Sequence, residues 1–144
     1  LPALYAFDAK LLLRNKNGKR IIPIDDFLLS PGTTTIKDNE VLLAIILPLS
    51  LSNSTFYKLG LRKAMAISVI NFAIVYNHDE LIIAAGAVAP TIIKLSGLKG
   101  LNIDQILEKV DNAISPIDDI RATSNYRRKA LQNMLRFELS KIIK

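Results

Sequence analysis

Two apolar segments separated by four polar residues constrain this chain more than any other feature. Residues 66–77 are long, apolar and rich in β-branched side chains; residues 81–88 are apolar again; Asn77-His78-Asp79-Glu80 stands between them. β-Branched side chains suit a pleated surface. Two such runs joined by a short polar turn predict paired antiparallel strands. Residues 55–61 alternate loosely and supply a strand before them, and residues 91–95 can continue onto the same sheet after the bend at Ala89-Pro90. The expected unit is a meander of about three antiparallel strands. Its near-continuous hydrophobicity requires at least one well-covered face.

The C-terminal third supplies that cover. Asn102 followed by Gln105 resembles a capping box, and Ile103, Ile106, Leu107, Val110 and Ile114 then form one stripe at helical spacing. Ser115-Pro116 suits a further helix start, with Pro116 in the first turn. Ser124 opens the last helix, along which Leu131, Met134, Leu135, Leu139 and Ile142 share a face. Helices segregated to one side of an antiparallel sheet define an α+β fold.

The first third reads differently. Residues 10–14 and 20–24 flank Asn15-Lys16-Asn17-Gly18-Lys19, and Asn-Gly favours the positive φ of a hairpin turn. Asp25-Asp26 opens a short helical turn under Phe27, Leu28 and Leu29, broken by Ser30-Pro31-Gly32. Residues 40–47 form a strand stopped by Pro48. The Ser/Asn-rich stretch 49–54 is a linker between residues 1–48 and residues 55–144.

Composition narrows the chemistry. The chain of 144 residues contains no cysteine, which excludes disulfides, thiolate metal sites and a cysteine nucleophile within it. His78 is the one histidine, which excludes a histidine-rich metal site. The net charge is +6, but the basic residues are scattered and carry no nucleic-acid motif; their densest group is Arg127-Arg128-Lys129. No uncharged apolar run reaches the roughly 18 residues that a membrane span requires, and no secretory signal is visible. A cytoplasmic setting is expected. Leu1-Pro2 reads as a chain entered in the middle.

Three stretches resemble, in order and spacing, the FAD-binding medium subunit of the molybdenum hydroxylases, the family of xanthine dehydrogenases, carbon monoxide dehydrogenases and aldehyde oxidoreductases. The first is Leu1-Pro2-Ala3-Leu4-Tyr5-Ala6-Phe7-Asp8-Ala9, continued by Phe27, Pro31-Gly32-Thr33-Thr34-Thr35 and Glu40-Val41-Leu42-Leu43. It is similar to the tail of the family's FAD-binding domain. The second, Phe56-Tyr57-Lys58-Leu59-Gly60-Leu61-Arg62-Lys63-Ala64-Met65-Ala66-Ile67-Ser68-Val69, is similar to the start of its C-terminal domain. The third runs from Gly86-Ala87-Val88-Ala89-Pro90-Thr91 to Asp118-Asp119-Ile120-Arg121-Ala122 and Tyr126-Arg127-Arg128.

The resemblance implies an electron-transfer role. Electrons from a molybdenum-cofactor large subunit would pass through [2Fe-2S] clusters in a small subunit to FAD, and on to an external acceptor. Residues 1–48 would then be the end of an FAD-binding domain and 55–144 the flavoprotein C-terminal domain. The family's glycine-rich phosphate loops would lie upstream of Leu1; the six glycines here, at 18, 32, 60, 86, 97 and 100, form no such cluster. This piece alone is therefore expected to hold FAD poorly and to be inactive. The competing class is a non-enzymatic module whose basic surface docks an acidic partner protein.

By the same resemblance Lys58 matches a lysine that contacts FAD, Leu42 an apolar residue that touches the flavin, and Arg62 with Lys63 a loop that approaches the flavin ring. A solvated strand lysine, a plain core leucine and a solvated loop are the structural alternatives. Ala66 stands where the family often has aspartate, so the loop supports no choice of acceptor. Thr33, Thr34 and Thr35 follow Pro-Gly as turn formers. His78 sits in a turn without a catalytic set. Asp118, Asp119 and Arg121 read as helix-end polar residues, and Tyr5 and Phe7 as core.

Overall fold

A computed structural model describes residues 1–49 and 52–143. The first region opens with a five-residue helix, α1 (Pro2–Ala6). Strands β1 (Lys10–Asn15) and β2 (Gly18–Pro23) form the expected hairpin, in register from Lys10 opposite Pro23 to Asn15 opposite Gly18. A 3-10 turn (Ile24–Asp26) leads into the small pair β3 (Leu28–Ser30) and β4 (Thr33–Thr34), so the helical turn ends before Leu28 instead of running under it. Strand β5 (Val41–Ile46) returns to pair with β1 and completes a sheet in the order β2-β1-β5.

The second region is a four-stranded antiparallel meander: β6 (Asn53–Gly60), β7 (Ser68–Tyr76), β8 (Leu81–Gly86) and β9 (Ile93–Leu95). The three long strands are those read from the sequence, and β9 adds a short fourth. Strand β6 begins at Asn53, two residues earlier than its alternation indicated.

Helix α2 (Ile103–Ala113) carries the complete capping box: the Asn102 side chain accepts from the Gln105 N–H, and the Gln105 side chain from the Asn102 N–H. Helix α3 (Ser124–Ile142) starts where expected, capped by Thr123. No helix opens at Ser115. Its N–H is instead donated to Val88 O at 2.9 Å, which ties the segment to the end of β8 in extended form.

Strands β7 and β8 of the second sheet are covered on both faces. Ile70, Phe72, Ile74 and Ile83 point into a core with Ile106, Val110, Leu131, Leu135 and Leu139 of the two long helices. Ala73, Val75, Ile82 and Ala84 face the other way, onto Tyr5, Ala6, Leu11 and Ile24 of the first region. This double burial accounts for a run with no polar face. Each large side chain so buried is worth about 1.5–3 kcal/mol. It also joins the two regions, because the first packs on one face of the second sheet.

Candidate functional site

Lys58 lies on β6, opposite Asn71 of β7. Strand alternation puts Tyr57 and Leu59 on the helix side, where Tyr57 stacks on Phe72 at 5.9 Å between ring centroids. Lys58 and Phe56 therefore point to the α1 side, and both are exposed. Strand β6 is one of the two outer strands of its sheet.

Arg62 follows in the loop 61–67. Its Nη2 donates to Met65 O at 2.7 Å, and Met65 adopts φ +50°, a left-handed conformation that costs a non-glycine residue energy. The loop closes tightly because position 60 is glycine: a Cβ there would come within 2.8 Å of Ala66 Cβ. Arg62, Leu61, Ala66 and Ile67 form one wall of an open hollow of about 720 Å³, and Asp119, Ile120 and Arg121 form the other.

Leu42 lies on β5 of the first sheet, opposite the fully buried Leu13. It remains 43% exposed, so it is not the plain core leucine of the structural alternative. The three candidates are thus distributed over two sheets and a loop, with Lys58 and Arg62 four residues apart on one continuous segment.

The remaining candidates take structural places. Thr34 Oγ1 accepts from the Ile36 N–H, and Thr35 O accepts from Arg20. His78 is fully exposed in its turn, 3.0 Å from Asp79. Asp118 accepts from the Ser124 N–H at the start of α3. Tyr5 is buried and Phe7 half-buried in the core between the regions. Among the described residues no cluster of His, Cys, Asp or Glu could hold a metal ion.

Asp119 and Arg127 do far more than cap a helix. Asp119 accepts from the backbone and guanidinium of Arg121 and from Arg127 Nη2 at 2.7 Å. The Arg121 bonds, with smaller help from Arg127, hold its carboxyl well below the usual carboxylate range. Arg127 is 1% exposed, and its Nη1 donates to Val69 O and Ala87 O at 2.5 and 3.0 Å. Arg128 beside it bonds the α2 end through Asp111 O and Ile114 O. The densest basic group of the sequence is therefore not a surface patch. The signal was available: Arg127, Leu131, Leu135 and Leu139 repeat at intervals of four, the buried stripe of α3.

Elsewhere Lys94 joins the two regions, bonding Asp25 at 2.6 Å and Asp8. Burial works to lower its pKa, but the two carboxylates outweigh it and the net shift is upward. Arg20 grips Glu40 through two bonds of 2.8 Å. These bonds, with the Lys37 N–H, bring Glu40 down from 4.5 to about 2.

Residues 1–50 match the family described as FAD binding domain in molybdopterin dehydrogenase. Over 95% of its length the chain is 29% identical to the xanthine dehydrogenase FAD-binding subunit of Escherichia coli, covering 53% of that protein. It is 30% identical to the glyceraldehyde dehydrogenase medium chain of Sulfolobus acidocaldarius, over 90% of this chain and 51% of that one. Its fold superposes on a chain of carbon monoxide dehydrogenase from Hydrogenophaga pseudoflava with a TM-score of 0.81 at 23% identity, over 94% of this chain and 53% of that one. The resemblance to the FAD-binding subunits of molybdenum hydroxylases is borne out, and the chain spans about half the length of the relatives it matches. No described helix is long and apolar enough to cross a membrane.

Proposed function

We propose that this chain is part of the FAD-binding electron-transfer subunit of a cytoplasmic molybdenum-containing hydroxylase. Residues 1–48 act as the end of the FAD-binding domain and residues 55–144 as the C-terminal domain. Bound FAD would accept electrons from [2Fe-2S] clusters of a small partner subunit, fed by a molybdenum-cofactor large subunit, and release them to an external acceptor. The match of residues 1–50 to an FAD-binding family, continued by whole-chain similarity to FAD-binding subunits, carries this reading.

On this reading Leu42, Lys58 and Arg62 contribute to one side of the flavin site. Leu42 and its neighbours on β5 offer exposed apolar surface, suited to a flat ring. On this reading Lys58 and Arg62 bring positive charge to the flavin, which favours the reduced, anionic ring. No glycine cluster among positions 18, 32, 60, 86, 97 and 100 offers a backbone cradle for a pyrophosphate. That grip is assigned to other parts of the whole protein.

The test is an FAD titration of the full-length subunit followed by flavin absorbance and fluorescence. Lys58→Ala is expected to weaken FAD roughly tenfold, the loss of one charge-assisted contact, or to shift its reduction potential. Unchanged retention and unchanged potential would remove Lys58 from the site. No flavin binding by the intact subunit would sink the reading altogether.

One observation favours the alternative, a basic module docking an acidic partner. The outer face of the first sheet places Leu12, Ile21 and Ala44 in one row, with Lys10, Pro23 and Ile46 above and Arg14, Lys19 and Val41 below. That face is apolar with a basic rim and bears no carboxylate. Capture of one defined acidic protein by a flavin-free full-length subunit would favour this reading over the first.

A further inference from the structure

We infer that Arg127 is a positioning residue for the loop 61–67, and hence for Arg62; its link to flavin rests on the reading above. One guanidinium fixes both walls of the hollow around Arg62. Through Val69 O it holds the start of β7, where the loop ends. Through Asp119 it holds the turn 119–122, which puts Ile120 and Arg121 across from Leu61, Arg62, Ala66 and Ile67. Through Ala87 O it also pins a residue at φ +64°, a conformation that persists in a non-glycine residue only when its surroundings enforce it.

Stability alone does not require this arrangement. Burying a guanidinium is expensive, and an apolar side chain of similar volume often serves as well. Arg127 even leaves its Nε buried without a partner. What a guanidinium provides and an apolar group cannot is several bonds in fixed directions. It directs them to two backbone carbonyls, Val69 O and Ala87 O, and to the Asp119 carboxylate.

The experiment uses the FAD-loaded full-length subunit with Arg127→Lys, Arg62→Ala and the double variant. Lysine keeps the charge beside Asp119 but cannot span Val69 O, Ala87 O and the carboxylate together. Amide hydrogen exchange is expected to rise roughly tenfold or more across residues 61–69 and 119–122 in Arg127→Lys, while residues 106–110 in α2 stay unchanged, as local opening allows. Each single variant is expected to speed flavin release, and the double variant to do no more than the larger single, because residues acting through one path are not additive. Unchanged exchange in 61–69, a rise spread evenly over the chain, or additive effects on release would each overturn the inference. If Arg62→Ala leaves flavin release unchanged, the flavin reading of the loop fails, and the exchange pattern alone decides whether Arg127 positions it.

Discussion

Strands β8 and β5 are almost equally apolar, yet β8 buries all six of its residues and β5 exposes all six. The difference lies in their neighbours. Strand β8 has β7 and β9 at its sides, the long helices on one face and α1 with Leu11 and Ile24 on the other. Strand β5 has β1 on one side alone. Hydrophobicity therefore says that a strand will be covered, but the cover must be supplied by other elements. In the second region those elements lie within the chain. In the first region the apolar side chains of β5 remain exposed among the described residues.

The comparison can be broken most forcefully in the core. Leu135→Ala removes a side chain of zero exposure beneath the second sheet and is expected to cost about 2–5 kcal/mol. Leu43→Ala, at 52% exposure on β5, is expected to stay within about 0.5 kcal/mol. Urea unfolding of the chain measures both. Equal losses would mean that Leu43 on β5 is as well packed as the core beneath the second sheet.

The joint between the regions should respond next. Gly86 leaves no room for a Cβ, which would meet Asn71 Oδ1 at 2.5 Å, Ile92 Cδ1 at 3.0 Å and Pro2 Cγ at 3.3 Å. Gly86→Ala is expected to cost about 1–3 kcal/mol by overpacking, with α1 amides losing exchange protection before those of α2. Simultaneous loss in both helices would show that the joint cannot open separately.

The smallest effects are those of pH. Glu40, in the first region, is held at about 2 by Arg20 and the Lys37 N–H, and Asp119, in the second, is also held low. A carboxyl depressed by folding stabilises the fold above its ordinary value, and that contribution is lost as pH falls through the folded value. Stability is thus expected to decline as pH falls from about 4.5 towards 2. Glu40→Gln should flatten that decline in the first region and Asp119→Asn in the second. Identical slopes in wild type and Glu40→Gln would remove Glu40 from the balance.

Much of the fold was legible because its signals are local. Asn17-Gly18 specifies the hairpin, Asn102 with Gln105 specifies the α2 start, and the long β-branched runs specify β7 and β8. Helix α1 gave no such signal. Its N-cap is Leu1, which makes no side-chain cap, and five residues form a stable helix only through packing on other elements. At Ser115-Pro116 a local helix signal lost to a bond with Val88. The site was harder still. Lys58 and Arg62 came from the resemblance, since an exposed cation on a strand or loop carries no pattern of its own. Arg127 was noticed only for its charge; its interval of four from Leu131, on the buried stripe of α3, is the feature that matches its burial.

Strand β5 also has a consequence for handling the chain as a material. Val41-Leu42-Leu43-Ala44-Ile45-Ile46 carries no charge and presents an open row of backbone donors and acceptors at the sheet edge. Such an edge is a template for stacking with copies of itself. Glu40 before it and Pro48 after it are the nearest gatekeepers. Held at high concentration by itself, the chain is expected to assemble through this edge, and a lysine at position 43 to keep it dispersed.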